Sequence, residues 1–106
     1  TCNFVFTVSI DCYLYVVEKK SGNIIRVNNL HGIYKEKKKK NIKPVGFAIG
    51  GTKLYLTNSD GKMIVVDLNL GNVIQIEKIA GDIISRPFIY NQNLFVIKNG
   101  SIVQYN

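Results

Sequence analysis

Leu54 to Asp67 read LYLTNSDGKMIVVD, and this stretch decides the fold. Two runs rich in Leu, Tyr, Ile and Val flank Ser59-Asp60-Gly61-Lys62, whose Asp-Gly pair marks a tight hairpin turn because glycine enters positive φ without steric cost. The arrangement returns as LFVIKNGSIVQY at Leu94 to Tyr105, where Leu94, Phe95 and Gly100 repeat the parts played by Leu54, Tyr55 and Gly61. Leu54 and Leu94 lie 40 residues apart. A looser copy, VFTVSIDCYLYVVE, runs from Val5 to Glu18 and aligns at an offset of 49, which places Val5 on Leu54, Asp11 on Asp60, Val16 and Val17 on Val65 and Val66, and Gly22 on Gly71. The larger offset falls where Lys35-Glu36-Lys37-Lys38-Lys39-Lys40 stands, so the basic run reads as a lengthened loop between matching units. Repetition at this period means β-units that bury their faces by stacking.

Runs rich in Val, Ile, Tyr and Phe, interrupted by Gly or Asn every eight to twelve residues, predict ten short strands: Phe4 to Ser9, Tyr13 to Glu18, Asn23 to Val27, Val45 to Ile49, Lys53 to Asn58, Lys62 to Asp67, Asn72 to Glu77, Pro87 to Tyr90, Asn93 to Lys98 and Ser101 to Tyr105. No apolar stripe of helical spacing is sustained anywhere, so the fold class is all-β. The Asp60-Gly61 and Asn99-Gly100 pairs predict type I′ turns, with both central residues at positive φ. In the first copy the equivalent pair is Asp11-Cys12. Cysteine resists positive φ, so a turn of another type or a longer one is expected there.

At 106 residues the chain allows one domain with a modest core. The formal charge of +7 is local: residues 19 to 43 hold nine basic groups and one acid, and the remainder five and six. Lys outnumbers Arg twelve to two, which fits codon usage better than selection for forked phosphate recognition. The longest uncharged stretches, of about eleven residues, are too short to span a bilayer as a helix. Cys2 and Cys12 fall at opposite ends of one predicted strand, beyond disulfide reach, and are read as unpaired.

LYLTNSDGKMIVVDLNLGNVI resembles the pyrroloquinoline-quinone-type β-propeller repeat, with Leu54, Tyr55, Asp60, Gly61, Asp67 and Gly71 at the matching positions and Leu94, Phe95 and Gly100 in the last copy. Pro44-Val45-Gly46-Phe47-Ala48 and Ser85-Arg86-Pro87-Phe88-Ile89 fit the innermost strand that opens a blade. The resemblance implies antiparallel four-stranded blades: a partial blade over 3–34, the Lys-rich interblade loop over 35–43, a complete blade over 44–79 and a partial one over 83–106. Closed propellers need about four blades or more, so about two and a half imply a fragment of a larger, eight-bladed parent, and a chain that self-associates through its uncovered blades. One departure stands out. The repeat closes its outer strand with Trp, which this chain lacks, and Arg26 and Gln75 stand there instead, so looser docking between blades is expected.

Within the repeat class the order of segments is most similar to the C-terminal part of the outer-membrane assembly lipoproteins of the BamB family. That resemblance implies a non-catalytic protein-binding scaffold on the periplasmic face of a Gram-negative outer membrane, close to the membrane, with a BamA-like barrel-inserting subunit as its partner. A second reading is a piece of a quinone-dependent dehydrogenase, which needs oxygen ligands for Ca²⁺ and aromatics around the quinone. Asp60 and Asp67 have simpler roles in a turn and at a strand end. His31 has no metal-ligating or nucleophilic partner at useful spacing. No catalytic residue, metal site or cofactor is therefore expected. A third reading is polyanion binding through Lys35, Lys37, Lys38, Lys39 and Lys40, with Lys43 and Tyr34 nearby. Like-charge runs are more often solvated loops, and no nucleic-acid partner is expected.

Overall fold

The structure is a computed structural model, and it describes residues 4–10, 12–30, 42–81, 84–98 and 100–105. Among these residues ten strands form three antiparallel sheets. The first sheet joins β1 (Phe4–Val8), β2 (Tyr13–Glu18) and β3 (Ile24–Asn29) in chain order. The middle sheet joins β4 (Pro44–Gly50), β5 (Lys53–Asn58), β6 (Lys62–Asp67) and β7 (Val73–Lys78). The third joins β8 (Phe88–Tyr90), β9 (Asn93–Lys98) and β10 (Ser101–Tyr105). All ten strands lie where the Val-, Ile-, Tyr- and Phe-rich runs placed them, to within two residues at each end.

The sheets stack, and the middle one is covered on both faces. Leu54, Leu56, Ile64 and Val66 pack with Cys12, Leu14 and Val16 of the first sheet. On the opposite face Met63 and Val65 pack with Leu94 and Val96 of the third. This two-sided burial explains why β6 reads as the unbroken apolar run Met63-Ile64-Val65-Val66 rather than as a clean alternation. The offset of 49 is visible in the backbone as well. A β-bulge interrupts the β2–β3 pairing at Val16/Val17 and the β6–β7 pairing at Val65/Val66. Gly22 and Gly71, with φ of 72° and 76°, donate to the carbonyls of Glu18 and Asp67 at 2.8 and 2.6 Å.

The turns depart from expectation. Between β5 and β6 the Gly61 amide donates to the Asn58 carbonyl at 3.1 Å, and only Gly61, at φ 84°, is left-handed. Asp60 is not, so the type I′ expectation fails: Thr57 pairs with Met63, which makes the connection longer than two residues, and such a loop needs one left-handed residue at its end. The first hairpin uses the same device with a cysteine. Cys12 adopts φ 66° despite its Cβ, because its amide bonds to the Ser9 carbonyl at 2.9 Å, its carbonyl accepts from Leu30 at 2.9 Å, and its side chain is fully buried. Packing thus imposes there the conformation that local preference disfavours. Among the described residues a two-residue turn with both φ positive is formed by Asn91-Gln92, at 49° and 65°, where no glycine announces it. Gly100 has φ 76° between the paired Lys98 and Ser101, and Asn99 lies outside the described residues.

The opening strand of the third sheet is shorter than expected. Pro87 lacks the N–H that a ladder requires, and regular pairing starts at Phe88. Ser85 still holds the β9 edge: its hydroxyl accepts from the Ile97 amide at 2.8 Å, and its own amide donates to the Ile97 carbonyl at 3.1 Å.

Candidate functional site

The junction between the first two sheets is pinned by Arg26 on β3. Its guanidinium donates from Nη1 to the Asn69 carbonyl at 3.0 Å and from Nη2 to the Leu68 carbonyl, both in the turn between β6 and β7. Asp67 shapes that turn: its Oδ1 accepts from the amides of Asn69 and Leu70 at 2.8 and 3.1 Å. At this junction, where the repeat places Trp, a forked cation reaches the neighbouring sheet's carbonyls. Gln75, its counterpart on β7, turns to its own strand and donates to Glu77 Oε1 at 2.7 Å. Arg26 Nε and Asn28 Oδ1 are buried with no hydrogen-bond partner.

The same end of the molecule carries two clefts that meet at Gly51, in the turn between β4 and β5. One, of about 380 Å³, lies beneath Arg26 and is walled by Phe4, Phe6, Val16, Ile25 and Leu68. The other, of about 410 Å³, is walled by Gly50, Tyr55, Ile89, Gln92 and Leu94. Gly50 admits Ile89 closely: a Cβ there would stand 2.8 Å from Ile89 Cδ1. Around the clefts, turns and strand ends leave large apolar side chains in water, with Leu70 at 70 %, Tyr90 at 67 % and Ile25 at 53 % exposure. This end combines concave apolar walls with exposed apolar rims, a pattern that marks interaction surfaces.

The residues singled out in the sequence separate into two groups. Leu54 and Leu94 are buried, Tyr55 and Phe95 are half-buried, and Phe95 stacks on Phe88 with ring centroids 5.5 Å apart. Asp60 Oδ1 accepts from the Lys62 amide at 3.1 Å, and Asp67 caps its turn, so both carboxylates serve the backbone. Lys35, Lys37, Lys38, Lys39 and Lys40, with Tyr34, His31, Cys2 and Asp11, lie outside the described residues. Among the described residues no three His, Cys, Asp or Glu gather to hold a metal ion. Cys12 is a free thiol whose Sγ lies 3.9 Å from Asn58 Oδ1. Burial, reinforced by the nearby charge of Asp60, pushes its pKa up to about 12. Sequence reading missed Arg26 and Gly51 as site residues. The absent Trp was the one available signal for the former.

No protein-family model matches the chain, and no curated protein sequence matches it. Solved structures do. The β-propeller domain of Cps50 (Swd1) from Myceliophteria thermophila matches with a TM-score of 0.72 at 17 % identity, over 91 % of this chain and 32 % of that one. The fold is that of a β-propeller. BamB from Moraxella catarrhalis matches with a TM-score of 0.67 at 16 % identity, over 96 % of this chain and 29 % of that one. A quinohemoprotein alcohol dehydrogenase from Pseudomonas putida matches with a TM-score of 0.66 at 16 % identity, over 89 % of this chain and 15 % of that one. The three sheets are propeller blades, and the chain spans about a third of the Cps50 domain and of BamB. Identities this low speak for the fold, and the repeat resemblance read from Leu54 to Gly71 agrees with it.

Proposed function

We propose that this chain is part of a non-catalytic, protein-binding propeller scaffold, acting as a BamB-like component of outer-membrane β-barrel assembly on the periplasmic face. The observation that carries the reading is the turn end of the blades, where two apolar clefts share Gly51 as a ridge and Leu70 and Tyr90 stand exposed beside them. Exposed aromatic and aliphatic anchors beside preformed concave walls suit the capture of another polypeptide. Similarity to BamB supports the choice of partner class, a BamA-like barrel-inserting subunit. The quinone-dehydrogenase alternative has the propeller likeness behind it, while Asp60 and Asp67, among the described residues, each accept from backbone amides.

The test is co-purification of the full-length protein from native membranes, with Leu70→Ser and Tyr90→Ser as variants. Recovery of the barrel-insertion machinery with the wild type, and its reduction in the variants, is the expected result. Failure of the wild type to recover that machinery sinks the outer-membrane assignment.

A further inference from the structure

Arg26 brings an incomplete set of hydrogen bonds to the wall of an open cleft. Two of its N–H donors go to the Leu68 and Asn69 carbonyls, and Nε is buried without an acceptor. Each terminal nitrogen keeps a further N–H. Both acceptors are neutral, and among the described residues no carboxylate pairs with this cation. The cleft holds about 380 Å³, within the size range of small-molecule pockets, and its apolar walls are Phe4, Phe6, Val16, Ile25 and Leu68. They come from two adjacent blades that both belong to the chain, since Phe4 and Phe6 pack toward the core shared with the middle sheet. The offset of 49 residues supplies an internal comparison. Phe4, Phe6, Val16 and Arg26 correspond to Lys53, Tyr55, Val65 and Gln75, which wall a crevice at the second junction. That crevice holds about 90 Å³, and Gln75 there donates to Glu77. Room, apolar walls and a cation without a counter-charge coincide at the first junction.

We propose that this cleft binds a medium-chain aliphatic monocarboxylate, with its tail along Phe4, Phe6 and Leu68 and its carboxylate on the remaining N–H groups of Arg26. The choice follows from what each alternative leaves unsatisfied. A neutral apolar ligand would strip water from the guanidinium without supplying an acceptor, which is costly. An inorganic anion such as phosphate would pair with Arg26 and gain nothing from the apolar walls. A carboxylate with an apolar tail satisfies both, and its hydrogen bonds to the guanidinium are charge-assisted. Nε adds to the demand, because an anion held nearby offsets the cost of a buried donor that has no acceptor. Two carbonyls already fix the guanidinium, so its donors are held in place before the ligand arrives. The proposal does not rest on the scaffold reading, whose anchors are the exposed rims at Leu70 and Tyr90.

Calorimetric titration of the full-length protein with octanoate tests this, with octanol as the neutral analogue and inorganic phosphate as the anion without a tail. Octanoate should bind saturably, and octanol and phosphate at least about tenfold more weakly, the factor expected for one charge-assisted hydrogen bond or for the apolar contact. Arg26→Gln, which removes the charge, should weaken octanoate binding by about tenfold or more, and Arg26→Lys should recover most of the loss. Ile25→Glu sets a competing carboxylate on an exposed wall of the cleft and should abolish binding. Far-UV circular dichroism shows whether each variant is folded, and Ile25→Glu decides alone if Arg26→Gln is not. Three results overturn the proposal: no octanoate binding to the wild type, octanol binding as tightly as octanoate, or a folded Arg26→Gln or Ile25→Glu variant that binds octanoate as the wild type does. None of these depends on recovery of the membrane machinery, which is read with Leu70 and Tyr90 variants.

Discussion

Arg26 and Asn69 lie 43 residues apart in sequence and meet at 3.0 Å, joining the outer strand of the first blade to a turn of the second. The same guanidinium holds the Leu68 carbonyl, so one side chain satisfies two main-chain acceptors of its neighbour. Arg26→Ala should lower stability by about 1–2 kcal/mol, the usual range for hydrogen bonds from a charged donor at a partly exposed site. Arg26→Lys should restore less than half of this because an ammonium lacks the planar fork. At the equivalent place on β7, Gln75→Ala should stay within about 0.5 kcal/mol, since its partner is on its own strand. Urea unfolding of the three variants measures the difference.

Gly46 on β4 faces the chain that leads into β8, and a Cβ added to it would stand 2.5 Å from Arg86 Cβ. Gly46→Ala should therefore destabilise by about 1–3 kcal/mol through overpacking between two blades. Truncating Arg86 to Ala leaves the clashing Cβ in place and should not rescue, whereas Arg86→Gly should. A double-mutant cycle with a clear favourable coupling only for the glycine pair is the expected outcome.

Gln92 occupies a left-handed conformation at φ 65° in a two-residue hairpin. Type I′ turns favour Asn followed by Gly, and a residue with a Cβ costs about 1 kcal/mol in that conformation. Gln92→Gly should raise stability by about 0.5–1 kcal/mol, and an unchanged or lower urea midpoint contradicts the assignment.

Cys12 is fully buried, with a pKa raised from 9.0 to about 12. In a Cys2→Ser background it should resist thiol reagents at neutral pH until the chain is unfolded. The folded state holds the proton more tightly than the unfolded one, so the stabilising contribution is complete below pH 9 and declines as pH rises toward 12. The slope is at most about 1.4 kcal/mol per pH unit. Subtracting the profile of Cys12→Ala removes the Lys and Tyr titrations common to both proteins and isolates this slope.

The sequence announced the strands because each is a local event. Tyr13 to Glu18 and Lys53 to Asn58 are short runs rich in Tyr, Leu and Val set off by turn-forming residues, and the backbone needs nothing distant to read that pattern. The repeat made stacking legible too, since Leu54 and Leu94 recur at matching places in matching strands. Turn geometry was less legible. Ser59-Asp60-Gly61-Lys62 resembles a two-residue I′ loop, and the longer connection was settled by the register between β5 and β6.

By itself, then, the sequence determined an all-β chain of repeated units and where each strand lies. Side-chain periodicity and glycine's conformational freedom act over a few residues and survive in a linear reading. Only the tertiary structure decided that Cys12 takes a left-handed backbone, that Arg26 replaces an aromatic at the blade junction, and that two clefts meet at Gly51. Each of these depends on a partner tens of residues away, and which partner arrives is set by the stacking of whole sheets, whose buried area outweighs any single local preference.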